Sequence, residues 1–330
     1  MEPARSSASI PYGTTAYYAG LAASDDPNQD PIAAQIYPRP QEHSILPYES
    51  SDPIADQQYL IAERLIHHYH DRALMLVNDR CATYCRHCFR RHFTGNDSGR
   101  ITPAQLSAAC DALASRPQIN EILLSGGDPL MLGDDELERI LRALREVNPD
   151  YIIRIATRIP IVLPRRITER LTRLLAIQPG LWMVIQANHP RELTPEFSTA
   201  VARIRQSGIP LLNQAVLLRG VNDDAVVLEE LFKGLLRNGV KPYYLFQGDL
   251  ASGTRHFRTS IEHGLQLMDT LRSRISGMAL PVYAVDLPGG GGKIPLNRET
   301  LVRTEKNWYV LQDLAGNHYR YPREIQKGET

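Results

Sequence analysis

The run Ala73-Leu74-Met75-Leu76-Val77-Asn78 passes directly into Asp79-Arg80-Cys81-Ala82-Thr83-Tyr84-Cys85-Arg86-His87-Cys88, so an apolar segment of strand length delivers three thiols within eight residues. Moving outward, the rhythm repeats. Further strand-length apolar runs lie at 121–125, 151–156, 181–187, 211–218 and 242–247, with a later one at 280–286. Amphipathic stretches at 103–115, 134–147, 168–177, 195–206, 223–238 and 260–274 separate them, and Thr102 and Asp134 supply the acceptors and negative charge that begin helices. Near-continuous apolar strands alternating with helices specify a parallel sheet covered on its outer face. Six such units favour an incomplete (β/α) barrel over a doubly wound sheet, with chemistry at the C-terminal ends of the strands.

Composition narrows the function classes. The 330 residues carry 37 Lys+Arg against 37 Asp+Glu, which argues against a protein that wraps nucleic acid by neutralising phosphates. No apolar run approaches the roughly 20 residues of a membrane span, and residues 1–10 lack a signal-peptide core, so the expected address is the cytoplasm. Four cysteines are too few for a disulfide framework. Cys81, Cys85 and Cys88 cluster, while Cys110 stands apart in a helical pattern. A structural zinc usually takes four protein ligands. Three thiolates on a four-iron cluster leave one iron open to a small molecule, the arrangement of a reaction centre rather than a scaffold. The bland alternative is three buried thiols packing as small apolar groups.

The C-x3-C-x2-C triplet just after a first strand resembles the radical S-adenosylmethionine (SAM) superfamily, whose members hold a [4Fe–4S] cluster this way. Leu123-Leu124-Ser125-Gly126-Gly127-Asp128-Pro129 after the second strand resembles the turn those proteins place against SAM. Residues from about 56 to 296 further resemble the lysine 2,3-aminomutase family. The similarity rests on Asp79-Arg80-Cys81 through Arg90-Arg91-His92-Phe93, Asn213-Gln214-Ala215, Pro242-Tyr243-Tyr244, His256-Phe257-Arg258-Thr259, and Asp286-Leu287-Pro288-Gly289-Gly290-Gly291-Gly292-Lys293.

That resemblance implies an incomplete (β/α)6 TIM-like barrel of the radical SAM type at 71–296, with an N-terminal extension at 1–70 and a short tail at 297–330; the proline-rich, aperiodic start of the extension reads as irregular, and Leu60, Ala62, Leu65 and Ile66 give a helical pattern from about Gln57. It implies a [4Fe–4S] cluster on Cys81, Cys85 and Cys88, SAM against Ser125, Gly126, Gly127, Asp128 and Gln214, and pyridoxal 5′-phosphate (PLP) held as an imine by Lys293. Arg72 would pair with the PLP phosphate and Tyr69 would pack between the two cofactors; His68 stands where relatives commonly carry a second arginine. The run from His67 to His70 reads as polarity on a helix end rather than a metal site. Arg90 would bind the substrate carboxylate, and Asp249 with Asp286 its distal cation, which selects a small cationic amino acid. The implied reaction moves the α-amino group from C2 to C3 after a SAM-derived radical takes hydrogen from the β-carbon, with an external electron donor and a homo-oligomer expected. Free L-lysine is the first substrate expected, then a lysine serving modification of a translation factor, then arginine. Residues 297–330 hold no cysteine, so no zinc is expected there. The rivals are a non-catalytic iron–sulfur redox protein, with Cys110 as a fourth ligand, and a radical SAM enzyme that does not use PLP.

Overall fold

A computed structural model describes residues 10–95, 99–297, 301–306, 308–313 and 316–322. Before the barrel, two short helices appear, α1 (Ala16–Ala19) and α2 (Pro31–Ile36). Ten strands then form one sheet in chain order: β1 (Leu60–Ala62), β2 (Leu65–Tyr69), β3 (Arg72–Asn78), β4 (Glu121–Gly126), β5 (Ile152–Thr157), β6 (Leu181–Ile185), β7 (Leu211–Val216), β8 (Lys241–Phe246), β9 (Val282–Leu287) and β10 (Gly292–Pro295). From β3 to β9 every neighbour is parallel; β1–β2 on one edge and β10 on the other are antiparallel. The crossovers use α3 (Pro103–Ala114), α4 (Asp134–Val147), a short α5 (Ile159–Val162) leading to α6 (Glu169–Ala176), then α7 (Pro195–Gln206), α8 (Ala225–Arg237) and α9 (Ile261–Arg274). β11 (Leu301–Thr304), β12 (Trp308–Gln312) and β13 (His318–Pro322) make a separate small sheet, so 297–330 is more than a tail.

Strand alternation explains the architecture. Ile122 and Leu124, Ile153 and Ile155, and Met183 point outward and are buried in the core under the helices. Their alternates, Leu123 and Ser125, Arg154 and Ala156, Val184, Gln214, Tyr244 and Phe246, point inward and line a cavity of about 960 Å³. The sheet is thus dry outside and holds space within.

Two expectations are corrected. The stretch from Gln57 is not a helix: residues Asp56–Tyr59 make one 3-10 turn and the chain then enters the β1–β2 hairpin. Leu60, Ala62, Leu65 and Ile66 suit helical spacing, yet β2 pairs with β3, placing Leu65 opposite Met75 and Ile66 opposite Leu74. His67–His70 accordingly lie on a strand and its turn. The N-terminal segment, which the sequence leaves as irregular structure, also contributes to the core: Tyr18, Ile32, Ala33, Ala34 and Ile36 are buried. Helices of four and six residues are too short to show a period.

Candidate active site

The cysteine loop leaves the C-terminal end of β3, and Cys81, Cys85 and Cys88 all border the cavity, whereas Cys110, on α3, does not. Its position removes Cys110 as a fourth ligand at this place. The loop is held by buried charge. Glu42 from the N-terminal segment bonds Arg86 and also Arg91, the latter at 2.9 Å, while Arg86 Nη1 donates to the carbonyls of Ile10 (3.1 Å) and Pro11 (3.0 Å). Burial pushes the Cys81 and Cys88 thiols up, so the protein alone does not keep them ionised. A metal must displace those protons, and three soft thiolates with open space beside them fit an iron–sulfur cluster. His87, buried between two of the cysteines, is held neutral, chiefly by burial, and its Nδ1 has no hydrogen-bond partner; such an atom suits a bound ligand.

The Gly126-Gly127 turn at the end of β4 faces the same loop. A Cβ at Gly126 (φ +121°) would lie 2.3 Å from the Asn78 carbonyl oxygen, and one at Gly127 would lie 2.4 Å from that of Arg80. The glycines therefore let the β4 turn press onto the backbone just before Cys81, with Gly127 N donating to Asn78 O at 2.5 Å. Both also line the cavity beside Ser125. Asp128 is spent differently from the expectation: its carboxylate accepts from Leu130 N (3.0 Å), Thr157 Oγ1 (2.7 Å) and Arg158 N (2.7 Å). It joins the ends of β4 and β5 rather than offering an open side chain. Gln214 points inward from β7.

At the other end of the sheet, Lys293 sits on β10 and not on the glycine loop itself. The β9–β10 hairpin sets it directly opposite Asp286, and its Nζ lies 3.1 and 3.0 Å from the two carboxylate oxygens. The ammonium also lies over the Phe246 ring at 4.0 Å. Burial lowers the Lys293 pKa, and Asp286 opposes that shift. Gly290 (φ +82°) is needed because a Cβ there would come within 2.6 Å of the Tyr59 ring. Around this turn His68 Nε2 lies 2.7 Å from Gly290 O, and Lys293 N donates to Tyr69 Oη at 3.0 Å. Arg72 stacks its guanidinium 3.9 Å from the Tyr69 ring and borders the cavity. A cation at the cavity wall, a stacked tyrosine and a partly desolvated amine fit an anionic aldehyde cofactor.

Asp249 and Asp286 share this region. The Asp249 carboxyl is pushed up to about 7, first by burial and then by the Asp286 charge, against the pull of Lys293 and Arg90. Arg90 donates its Nε to Asp56 Oδ2 at 2.8 Å, and among the described residues its Nη edge has no hydrogen bond. Sequence reasoning missed two inward arginines. Arg154 pairs with Glu121 inside the sheet, and Arg158 reaches the thiol of Cys85 at 2.8 Å. A lone arginine inside the apolar run 151–156 was the available signal for Arg154.

Comparison with known proteins agrees with this geometry. A model described as the radical SAM superfamily matches residues 75–231, and one described as lysine-2,3-aminomutase matches 268–330, including the small sheet. The chain is 38% identical over 308 residues to the L-lysine 2,3-aminomutase of Clostridium subterminale, covering 93% of this chain and 74% of that protein. It is 39% identical over 304 residues to that of Fusobacterium nucleatum, covering 92% and 71%. It is also 38% identical over 268 residues to the glutamate 2,3-aminomutase of Clostridioides difficile, covering 81% and 64%.

Proposed function

The chain belongs to the lysine 2,3-aminomutase family of the radical SAM superfamily, and from that premise we propose that it is an isomerase moving the α-amino group of free L-lysine from C2 to C3. One observation carries this: Cys81, Cys85, Cys88, Arg90, Asp249, Asp286 and Lys293 all border a single cavity. When bound, the cluster with SAM supplies a radical that takes and returns a hydrogen atom, and PLP supplies a π-system that spreads the unpaired electron of the migrating nitrogen.

The chain's own residues hold and orient. Cys81, Cys85 and Cys88 would ligate the cluster; Ser125, Gly126, Gly127 and Gln214 would bound the SAM site. Lys293 would carry PLP, with Arg72 at its phosphate and Tyr69 fixing the Lys293 backbone. Arg90 offers its Nη edge to the substrate carboxylate, in a charge-assisted pair. Asp286 and Asp249 would face the distal ammonium, whose charge offsets the burial and the Asp286 charge that raise Asp249. A glutamate side chain would bring a third negative charge to these two. The segment that supplies Ile54 and Asp56 to the cavity wall limits water access. Reduction of the cluster requires an external one-electron donor.

The test is turnover of the anaerobically reconstituted protein with SAM, PLP, reductant and, in separate reactions, L-lysine, L-arginine or L-glutamate. β-Lysine is the expected product. Turnover of glutamate with lysine inert would overturn the reading.

A further inference from the structure

Arg158, just past the end of β5, is buried and bonded through all three of its guanidinium nitrogens. Its Nε donates to Gln186 O (3.2 Å), its Nη1 to Cys85 Sγ (2.8 Å), and its Nη2 to Tyr18 Oη (2.8 Å), Gln35 Oε1 (2.6 Å) and Glu192 Oε1 (2.6 Å). Tyr18 in turn donates its proton to Glu192 Oε1 at 2.5 Å. The acceptors come from α1, from α2 and from residues beyond β6, so the fork is fixed on several sides before any ligand arrives. All three guanidinium nitrogens are thus committed to protein acceptors, Nη2 to three oxygens. A simple ion pair with Glu192 would use one edge of the guanidinium; here Nη1 is aimed at sulfur instead.

We propose that Arg158 is a positioning residue that sets the redox potential of the iron–sulfur cluster through its hydrogen bond to the Cys85 sulfur. This rests on the assignment of the cluster to Cys81, Cys85 and Cys88. Among the described residues, Cys85 is the one of the three whose sulfur receives a side-chain hydrogen bond. A cation hydrogen-bonded to a ligating thiolate stabilises the electron-rich reduced cluster more than the oxidised one, and the buried setting strengthens that effect. Hydrogen bonds to sulfur and net charge are among the levers that place such potentials. The N-terminal helices act as the anchor: Tyr18 and Gln35 hold the guanidinium in the orientation that reaches Cys85. Because Glu192 also accepts from Asn188 N and His189 N, the carboxylate stays hydrogen-bonded when Arg158 is changed.

The experiment is an anaerobic redox titration of the reconstituted protein, followed by the electron paramagnetic resonance of the reduced cluster. Wild type, Arg158→Lys and the charge-balanced double variant Arg158→Gln/Glu192→Gln are compared, each first assayed for iron and sulfide. Both variants keep the local net charge, so a change reports the hydrogen bond. With about four irons per chain in all three proteins, both variants are expected to titrate at more negative potential than wild type, the double variant furthest. Equal potentials for wild type and the double variant would overturn the proposal. A wild-type protein that assembles no four-iron cluster would instead overturn the cluster assignment beneath it.

Discussion

Replacing Asp249 with asparagine separates stability from function in a way that follows from its environment. The Asp249 carboxyl titrates near 7 in the fold, against 3.8 for an ordinary aspartate, because burial and Asp286 disfavour its charge. A folded value above the unfolded one means that the native state binds more protons between those two pH values, so stability falls as pH rises through the window. At roughly 1.4 kcal/mol per pH unit the full cost approaches ~4 kcal/mol above pH 7; water in the cavity reduces it to about 1–3 kcal/mol. Asp249→Asn carries no such charge. In urea titrations without ligands it should therefore be more stable than wild type by about 1–3 kcal/mol at pH 8, with the gap at pH 5 less than about half as large. The same substitution should abolish lysine turnover, since one of two carboxylates facing the ammonium is gone. In wild type, the apparent KM for lysine should rise as pH drops below about 7, because a proton then competes with the substrate cation. A variant that is less stable than wild type, or a gap that does not change with pH, would refute this reasoning.

Three further outcomes are expected. Lys293→Ala should lose the visible absorbance of bound PLP while keeping its iron, read by spectrum and iron assay on the same sample. Glu42→Gln should destabilise the protein by about 3–5 kcal/mol in denaturant titration, because it leaves the buried Arg86 and Arg91 without their shared carboxylate. Gly290→Ala should lower stability by about 1–3 kcal/mol and weaken PLP retention, since φ +82° and the Tyr59 ring 2.6 Å from the added Cβ both oppose it.

Much of the barrel is legible because its strands and helices are long and their periods distinct. The stretches expected at 134–147 and 195–206 coincide with α4 and α7, and α3, α6, α8 and α9 lie within two residues of expectation, while the four-residue α5 was not expected. The hairpin at 60–69 was misread because four apolar residues fit two periods, and only the pairing of β2 with β3 decides between them. Asp286 and Lys293 were visible as motif residues, but their direct pairing is a product of hairpin register, which four glycines in a row do not specify. Gly126, expected against SAM, lines the cavity but also meets the chain's own Asn78, and Gly290 meets Tyr59; neither close approach can be read from the sequence. Arg158 escaped notice because its five partners lie between 28 and 140 residues away, a relation no local pattern carries.

The central claim is that thiols and lysine serve one cavity, so both cofactors act on one substrate molecule. Isotope transfer tests it most directly: the reconstituted enzyme is supplied with L-lysine deuterated at C3, and both SAM and β-lysine are recovered and weighed by mass spectrometry. The account predicts deuterium in the 5′-methylene of SAM and at C2 of β-lysine. β-Lysine formed while SAM stays free of deuterium would contradict it.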